Sequence, residues 1–232
     1  MGILWIMPTS PEGALNFRRP LPGLYRSGNL SFLSGRGREE LLALKLGLIL
    51  DLRTRVERNI DAPPFLGRTE YLNLSLLPYR IRPLNEATAA AHSNADLTSA
   101  LLDHGANGIV SILGAILDAP PGPVLIHCHA GKDRTGLIAA LCLDLSGRGR
   151  EEIAADYVAT GPELVDFYAS GRVRRSAEQR VRDEPFMPTV ADDVLRPLTH
   201  LDAVWGGVGP YLAAHGFSEA EQAALAERLI TG

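Results

Sequence analysis

The chain contains little cysteine: two residues among 232, Cys128 and Cys142. Two cysteines do not make the disulfide framework that stabilises small secreted domains. If Cys142 lies on a helix that begins after Cys128, the two are roughly 12 Å apart along its axis, which is too far for a bridge. We therefore interpret Cys142 as a buried apolar side chain and Cys128 as a candidate for chemistry.

Long apolar runs are also lacking, and none reaches the roughly 20 residues of a membrane-spanning helix. The apolar stretch 1–8 is too short for a signal peptide and has no basic leader. With Ile6 in place of a serine or threonine, it does not fit a myristoylation site. We expect a cytoplasmic protein without integral membrane association, and export without a conventional signal stays open.

Charge of one sign is not in excess either, since the formal net charge is −4. This balance gives no indication of a nucleic-acid partner. Hydrophobic residues make up 46% of the chain and charged residues 22%, which is typical of a globular protein with a substantial core. The length suits a single domain over residues 1–232.

Ten residues, 127–136, carry most of the functional information: His-Cys-His-Ala-Gly-Lys-Asp-Arg-Thr-Gly. They follow a short apolar strand at 123–126 and precede an apolar helical stretch at 137–145. A tight loop between a strand and a helix N-terminus binds anions, because its backbone N–H groups point inward and the helix dipole adds positive charge. Arg134 can bond two phosphate oxygens at once. The run is therefore predicted to hold a phosphate group.

Cys128 is predicted to be the nucleophile at this phosphate site. Helix N-termini and nearby cations favour the thiolate form of a cysteine, and a thiolate beside a phosphate can form a phosphocysteine. Arg134 would neutralise the phosphoryl oxygens in the transition state. Thr135 can donate its hydroxyl to the sulfur as it departs, or serve as the helix N-cap, or both.

The other residues of the run are assigned to substrate binding or support. Lys132 adds a second cation at the rim, and the glycines permit close backbone approach. His127 is expected to buttress the loop by hydrogen bonds rather than act as a base. Three consecutive residues diverge too much to hold zinc, so no metal or cofactor is implied. The predicted substrate-binding residues of the run are His129, Ala130, Gly131, Lys132 and Gly136.

Apolar strands alternate with helical segments, which predicts a single α/β domain with a central, mainly parallel sheet flanked by helices. Strands are expected near 24–26, 48–50, 71–76 and 123–126, and helices at 38–46, 93–103, 107–117, 137–145 and 218–229. Asp51 and Arg53 follow the strand at 48–50, as Cys128 follows that at 123–126. Because ligands bind beyond the carboxyl ends of parallel strands, we assign Asp51 and Arg53 to the same cleft and to substrate binding.

The run 127–136 resembles the signature of cysteine-dependent protein tyrosine phosphatases, Cys-x5-Arg followed by Ser or Thr. Its full form is similar to the atypical bacterial branch that includes mycobacterial and listerial tyrosine and lipid phosphatases. The similarity covers most of the chain from about Asn16. Other stretches similar to that branch, in the same order, are Asn-Phe-Arg (16–18), Leu-Tyr-Arg-Ser (24–27), Asp-Leu-Arg (51–53), Ile-Ala-Ala-Asp-Tyr (153–157) and Val-Gly-Pro-Tyr-Leu (208–212).

Phosphoester cleavage also needs a general acid for the leaving oxygen. The Trp-Pro-Asp loop of the larger eukaryotic relatives is absent, since neither Trp5 nor Trp205 precedes Pro-Asp. Asp133 is the leading candidate, and the resemblance implies the same residue. A carboxylate that only bonds loop amides is the alternative for Asp133, and Asp51 is the second candidate acid.

The resemblance implies a phosphatase acting on phosphotyrosine, with phosphoserine, phosphothreonine and phosphoinositides as further candidates. Its partners would be a phosphorylated protein or a phosphoinositide. The alternative is a phosphate- or phosphopeptide-binding module without turnover. Retention of the complete set Cys128, Asp133, Arg134 and Thr135 favours the enzyme.

Two segments outside this run bear on substrate access. Relatives in this branch carry a helical lid, and residues 79–120 are predicted to form part of one. The basic residues at 172, 174, 175, 180 and 182 are interpreted as a solvated face, with contact to acidic substrates as the alternative.

Overall fold

The computed structural model describes residues 10–77, 81–169, 176, 178 and 183–232. Its centre is a five-stranded sheet in the order β1-β2-β5-β3-β4. β1 pairs antiparallel with β2, and all other pairs are parallel. This confirms the predicted α/β domain with a mainly parallel sheet. The strands are β1 (Arg18–Leu21), β2 (Leu24–Ser27), β3 (Leu48–Asp51), β4 (Tyr71–Asn73) and β5 (Val124–His127).

The three central strands are buried along their whole length, as expected for parallel strands covered on both faces. Alternate side chains point to opposite faces of the sheet. Leu50 and Ile126 enter the larger hydrophobic cluster, and Ile49 and Leu125 enter a smaller one on the other face. Packing on both faces therefore fixes β5, and with it the start of the predicted phosphate loop.

Helices cover both faces of this sheet. The α-helices of the described ranges are α1 (Gly35–Leu42), α2 (Arg55–Ile60), α3 (Arg82–Ala89), α4 (Asn94–His104), α5 (Ala106–Leu117), α6 (Asp133–Leu145), α7 (Arg150–Val158), α8 (Thr160–Ala169), α9 (Asp192–Trp205), α10 (Val208–Ala214) and α11 (Glu219–Thr231). The larger cluster receives side chains from α4, α5, α6, α9, α10 and α11, and the smaller one from α1.

Most of residues 79–120, the range predicted to form part of a lid, forms helices that pack into the core. α4 and α5 are core helices, because Leu101, Ile109 and Ile112 are fully buried in the larger cluster. α3 joins the same cluster through Leu84. Residues 79 and 80, like the basic residues at 172, 174, 175, 180 and 182, lie outside the described ranges.

The first strand differs from the sequence interpretation. β1 was not predicted, because it contains Pro20 and has no apolar alternation; at the sheet edge, the missing N–H of proline costs no ladder bond.

Over the described residues, no single helix is long and apolar enough to cross a membrane. The pair α4–α5 meets that test only when joined across an 84° bend.

The core position of α5 can be tested by matched substitutions. Ile112→Ala should lower the free energy of unfolding by about 2–5 kcal/mol, because it leaves a cavity in a close-packed region. Ile60→Ala, at a side chain that is 76% exposed, should change it by less than about 0.5 kcal/mol. Chemical denaturation measures both values, and equally small effects would remove α5 from the core.

Candidate active site

The predicted phosphate loop lies at the carboxyl edge of the sheet. β5 ends at His127 and α6 begins at Asp133, so residues 128–132 form the turn between them. β3 runs beside β5 with Asp51 paired to His127, and the Leu52 amide donates to the His127 carbonyl over 2.8 Å. The predicted closeness of the two strand ends is thereby confirmed.

Cys128 lies at the base of this turn, with 2% of its surface exposed. Cys142 is fully buried on α6, where burial raises the pKa of its thiol to about 12. Both cysteines are free thiols. Their surroundings differ, because Cys142 sits inside an apolar helix face and Cys128 adjoins the helix N-terminus.

Three successive carbonyl groups of the loop are held by donors from the protein interior. The backbone N–H of Asn29 donates to His129 O over 2.8 Å. The side-chain Nδ2 of Asn16 donates to Ala130 O over 3.2 Å and to Gly131 O over 3.0 Å. The peptide bonds are trans, so the N–H that follows each carbonyl points the opposite way. Three consecutive N–H groups therefore face the mouth of the loop, which is the arrangement that binds an anion.

Gly131 allows this turn to pass close to β2. Its φ is +71°, in the region that favours glycine, and an added Cβ would lie 2.6 Å from backbone atoms of Ser27 and Gly28. Neither the dihedral angle nor the space suits a side chain. Gly136 has a different role from the predicted substrate contact: it lies within α6, where a Cβ would meet the Tyr157 ring at 2.9 Å.

Arg134, at the second position of α6, is held by Glu57 of α2. Its Nη1 and Nη2 donate to the two carboxylate oxygens of Glu57 over 2.8 and 2.6 Å. Burial opposes ionisation of Glu57, but the hydrogen bonds and charge of Arg134 outweigh it and lower the pKa of Glu57 to about 2. Burial likewise acts to lower the pKa of Arg134, and Glu57 together with Cys128 raises it.

The contact with Glu57 leaves part of the guanidinium free. A guanidinium has five N–H groups. Two of them bond Glu57, and Nη1 also lies 3.5 Å from the Leu52 carbonyl. Among the described residues, nothing bonds the Nε side of Arg134, which can donate to two oxygens of a phosphate. Glu57 thus orients the cation without using all its donors.

Thr135 is the third residue of α6 and is fully buried. Its hydroxyl has no hydrogen-bond partner among the described residues. The N-cap of α6 is Lys132, so the prediction of Thr135 as N-cap is wrong; it occupies the third helical position. A buried hydroxyl without a partner is costly, and a nearby thiolate would satisfy it.

Asp133 opens α6 and is the partly exposed carboxylate of the loop, with 28% of its side chain accessible. Burial raises the pKa of Asp133 and the negative charge of Asp193 adds to the rise, against opposing effects of Lys132 and Arg134. Tyr157 donates to Asp133 over 3.4 Å. A carboxyl group with a raised pKa keeps its proton to higher pH, as a general acid must.

Lys132 is buried rather than displayed at the rim, contrary to its predicted position. Its Nζ donates to the carbonyls of Phe186 and Pro188 over 2.5 and 2.7 Å and lies 4.0 Å from Asp133. Burial lowers the pKa of Lys132. These contacts tie the predicted phosphate loop to the segment before α9.

Asp51 and Arg53 are both fully buried and bonded to each other, with Arg53 Nη2 2.8 Å from Asp51 Oδ2. Tyr71 also donates to Asp51 over 2.8 Å. Burial works to raise the pKa of Asp51, but charged and hydrogen-bonded neighbours including Arg53 lower it to about 2. This geometry favours support of the strand ends over the substrate contact predicted for both residues and over the acid role predicted for Asp51.

The two histidines beside Cys128 differ in environment. His127 is fully buried, its Nδ1 lies 3.4 Å from the Cys128 carbonyl, and burial lowers its pKa to about 4. This position suits the predicted buttress. The side chain of His129 is 31% exposed and packs edge-on against Phe167 of α8. Among the described residues, no group of three or more His, Cys, Asp or Glu side chains could hold a metal ion.

Comparison with known proteins agrees with this geometry. The sequence profile of the tyrosine phosphatase family matches residues 22–231. The chain belongs to the tyrosine phosphatase family. A tyrosine-protein phosphatase of Nostoc commune is 30% identical over 226 residues, which cover 90% of this chain and 75% of the relative. The triple specificity protein phosphatase PtpB of Mycobacterium tuberculosis is 28% identical over 269 residues, covering 90% of this chain and 94% of the relative. These matches confirm the resemblance to the atypical bacterial branch and the assignment as a protein-tyrosine phosphatase.

Sequence reasoning missed the residues of the phosphatase that hold the loop from outside. Glu57 could have been suspected from Thr54, since the two form a capping box at the start of α2, just beyond β3. Asn16 and Arg26 lie in stretches recognised by resemblance, but no local pattern links them to residue 131. Their role depends on contacts across more than 100 residues of chain.

The backbone conformation of Gly131 gives a test of the phosphatase site. Gly131→Ala should weaken binding of inorganic phosphate by about tenfold or more, because a misplaced loop no longer aims its amides together. Gly114→Ala on α5, where nothing lies within 4 Å of the new Cβ, is the matched control and should leave binding unchanged. Titration calorimetry with phosphate compares the two, and equal affinity would show that the loop tolerates a side chain.

Proposed function

We propose that this phosphatase hydrolyses phosphotyrosine through a phosphocysteine intermediate on Cys128. The observation that carries the proposal is the arrangement around its sulfur. The loop amides face outward, Arg134 offers a free pair of donors, and Asp133 is partly exposed at the first position of α6. These groups supply the nucleophile, the charge stabilisation and the acid of one reaction.

In the first step, the Cys128 thiolate attacks phosphorus and the P–O bond to the tyrosyl oxygen breaks. Asp133 gives its proton to that oxygen, so tyrosine leaves neutral. The loop amides and Arg134 stabilise the negative charge of the three equatorial oxygens. The raised pKa of Asp133 favours the protonated form that this step requires.

In the second step, water attacks the phosphocysteine while the now ionised Asp133 accepts its proton. The S–P bond breaks and inorganic phosphate forms. The Thr135 hydroxyl, which has no other partner in the described part of the chain, donates to the sulfur as it becomes a thiolate again. One carboxyl group thus acts first as acid and then as base.

The contacts of Lys132 and Arg134 bear on the choice between phosphotyrosine and a polyanionic substrate. Lys132, which the sequence analysis placed at the rim as a second cation, donates instead to two backbone carbonyls. Arg134 and the loop amides match a single phosphate. Phosphotyrosine is therefore the primary substrate in this proposal. The name of the triple specificity relative supports including phosphoserine, phosphothreonine and phosphoinositides as further candidates.

The activity can be tested on four substrates: an aryl phosphate, a phosphotyrosine peptide, a phosphoserine peptide and soluble phosphoinositides. We expect phosphate release to be fastest from the aryl phosphate and phosphotyrosine, and to vanish in Cys128→Ser because an alkoxide is not available at neutral pH. Cys142→Ser is the matched control and should retain activity. A wild-type protein that binds phosphate without releasing it from any substrate would indicate the binding module instead.

The role of Asp133 can be tested through the leaving group. Asp133→Asn should lower kcat about 100-fold or more on phosphotyrosine, in the range of general acid catalysis. The loss should shrink on an aryl phosphate whose phenol is acidic enough to leave unprotonated. In the wild type, kcat/KM should fall as pH rises through the raised pKa of Asp133, and the variant should lack that limb.

Asp51→Asn serves as the comparison for this assignment. It should act mainly on thermal stability, because it leaves Arg53 buried with one charge partner fewer. If Asp51→Asn removed the alkaline limb and Asp133→Asn kept near-normal turnover, the acid would be Asp51.

A further inference from the structure

A buried charged cluster lies behind the catalytic loop, on the side opposite the substrate. Asp156 of α7 bonds Arg26 of β2 through one oxygen and Arg18 of β1 through the other, the latter over 2.7 Å. The three side chains are 11%, 0% and 12% exposed. None of them belongs to the ten-residue run or to the proposed chemical steps.

This cluster reaches the catalytic loop at one atom. Arg26 Nη2 donates to the carbonyl oxygen of Gly131 over 2.6 Å, and Asn16 Nδ2 donates to the same oxygen over 3.0 Å. Arg18 in turn bonds the Asn16 side chain. Both donors to Gly131 are thus held by the cluster that Asp156 joins.

We propose that Asp156 is a positioning residue for catalysis, which acts through Arg26 and Arg18 to fix the Gly131 carbonyl and so to turn the Lys132 amide toward the bound phosphate. The peptide link between residues 131 and 132 is a rigid trans unit. When its carbonyl is held in the interior, its N–H must face outward. Rotation of this one unit would put an oxygen lone pair, rather than a donor, toward the anion.

A change in the charge of the cluster distinguishes a positioning role of Asp156 from a purely electrostatic one. Two guanidinium groups and one carboxylate carry a net charge of about +1 below the loop. Asp156→Asn would raise that charge, and a purely electrostatic role predicts tighter phosphate binding. A positioning role predicts weaker binding, since Arg26 and Arg18 would lose the group that orients them, and Arg18 in turn bonds Asn16.

The inference rests on the proposed function, and it is tested by a readout that does not need turnover. Alkylation of Cys128 by iodoacetamide is followed by mass spectrometry across pH, with and without inorganic phosphate. In Asp156→Asn, we expect about tenfold more phosphate to be needed for half-protection, and a comparable fall in kcat on an aryl phosphate. Asp156→Glu, which keeps the charge, should restore part of both.

Asp144→Asn is the matched control, because Asp144 forms an ion pair with Arg150 across α6 and α7 over 2.6 Å, at a site that the loop does not contact. It should leave protection and kcat unchanged.

If Asp156→Asn does not fold, Asn16→Gly provides the test: it removes a donor to Gly131, and glycine accepts the φ of +53° found at residue 16. It should likewise weaken phosphate protection.

Unchanged or tighter phosphate protection in a folded Asp156→Asn protein, or in Asn16→Gly where the former does not fold, overturns the proposal. Absence of any protection by phosphate in the wild type overturns it as well. A wild type that is protected by phosphate but releases none from the substrates would contradict the proposed function, and the protection measured in Asp156→Asn would then still decide whether Asp156 positions the loop for phosphate.

Discussion

The orientation of a few peptide groups between Cys128 and Asp133 is the constraint on which this site depends. Backbone N–H groups bind an anion only if the carbonyls that precede them are turned away. Asn16, Asn29 and Arg26 hold those carbonyls from the interior, at distances of 2.6–3.2 Å. The predicted anion-binding geometry of the loop therefore relies on three residues outside it.

Two ion pairs support the loop from different sides. Glu57 orients Arg134 at the front and Asp156 orients Arg26 at the back. Burial of charged groups is costly, and such pairs seldom add much net stability. Their value here is geometric, because the planar guanidinium fixes direction as well as charge. The two buried ion pairs therefore contribute to the geometry of the predicted phosphate site more than to the stability of the protein.

Most of the sheet could be predicted from sequence, because apolar runs that are buried on both faces are local signals. The strand before Cys128, the helix after Thr135 and the capped helix that begins after Ser218 lie close to the expected positions. β1 was missed because an edge strand need not alternate. The core packing of α4 and α5 was not predicted, since an apolar helix has the same sequence pattern whether it covers a site or fills a core.

The sequence by itself determined the family, the phosphate loop and the candidate groups Cys128, Asp133 and Arg134, because the loop chemistry is encoded in ten consecutive residues. Only the tertiary structure decided the positions of the supporting groups. In the tertiary structure, Lys132 is buried and donates to two backbone carbonyls. Asp156 contacts Arg26, which lies 130 residues away in the chain. Contacts at such separation are set by how the helices pack on the sheet, and no local pattern records them.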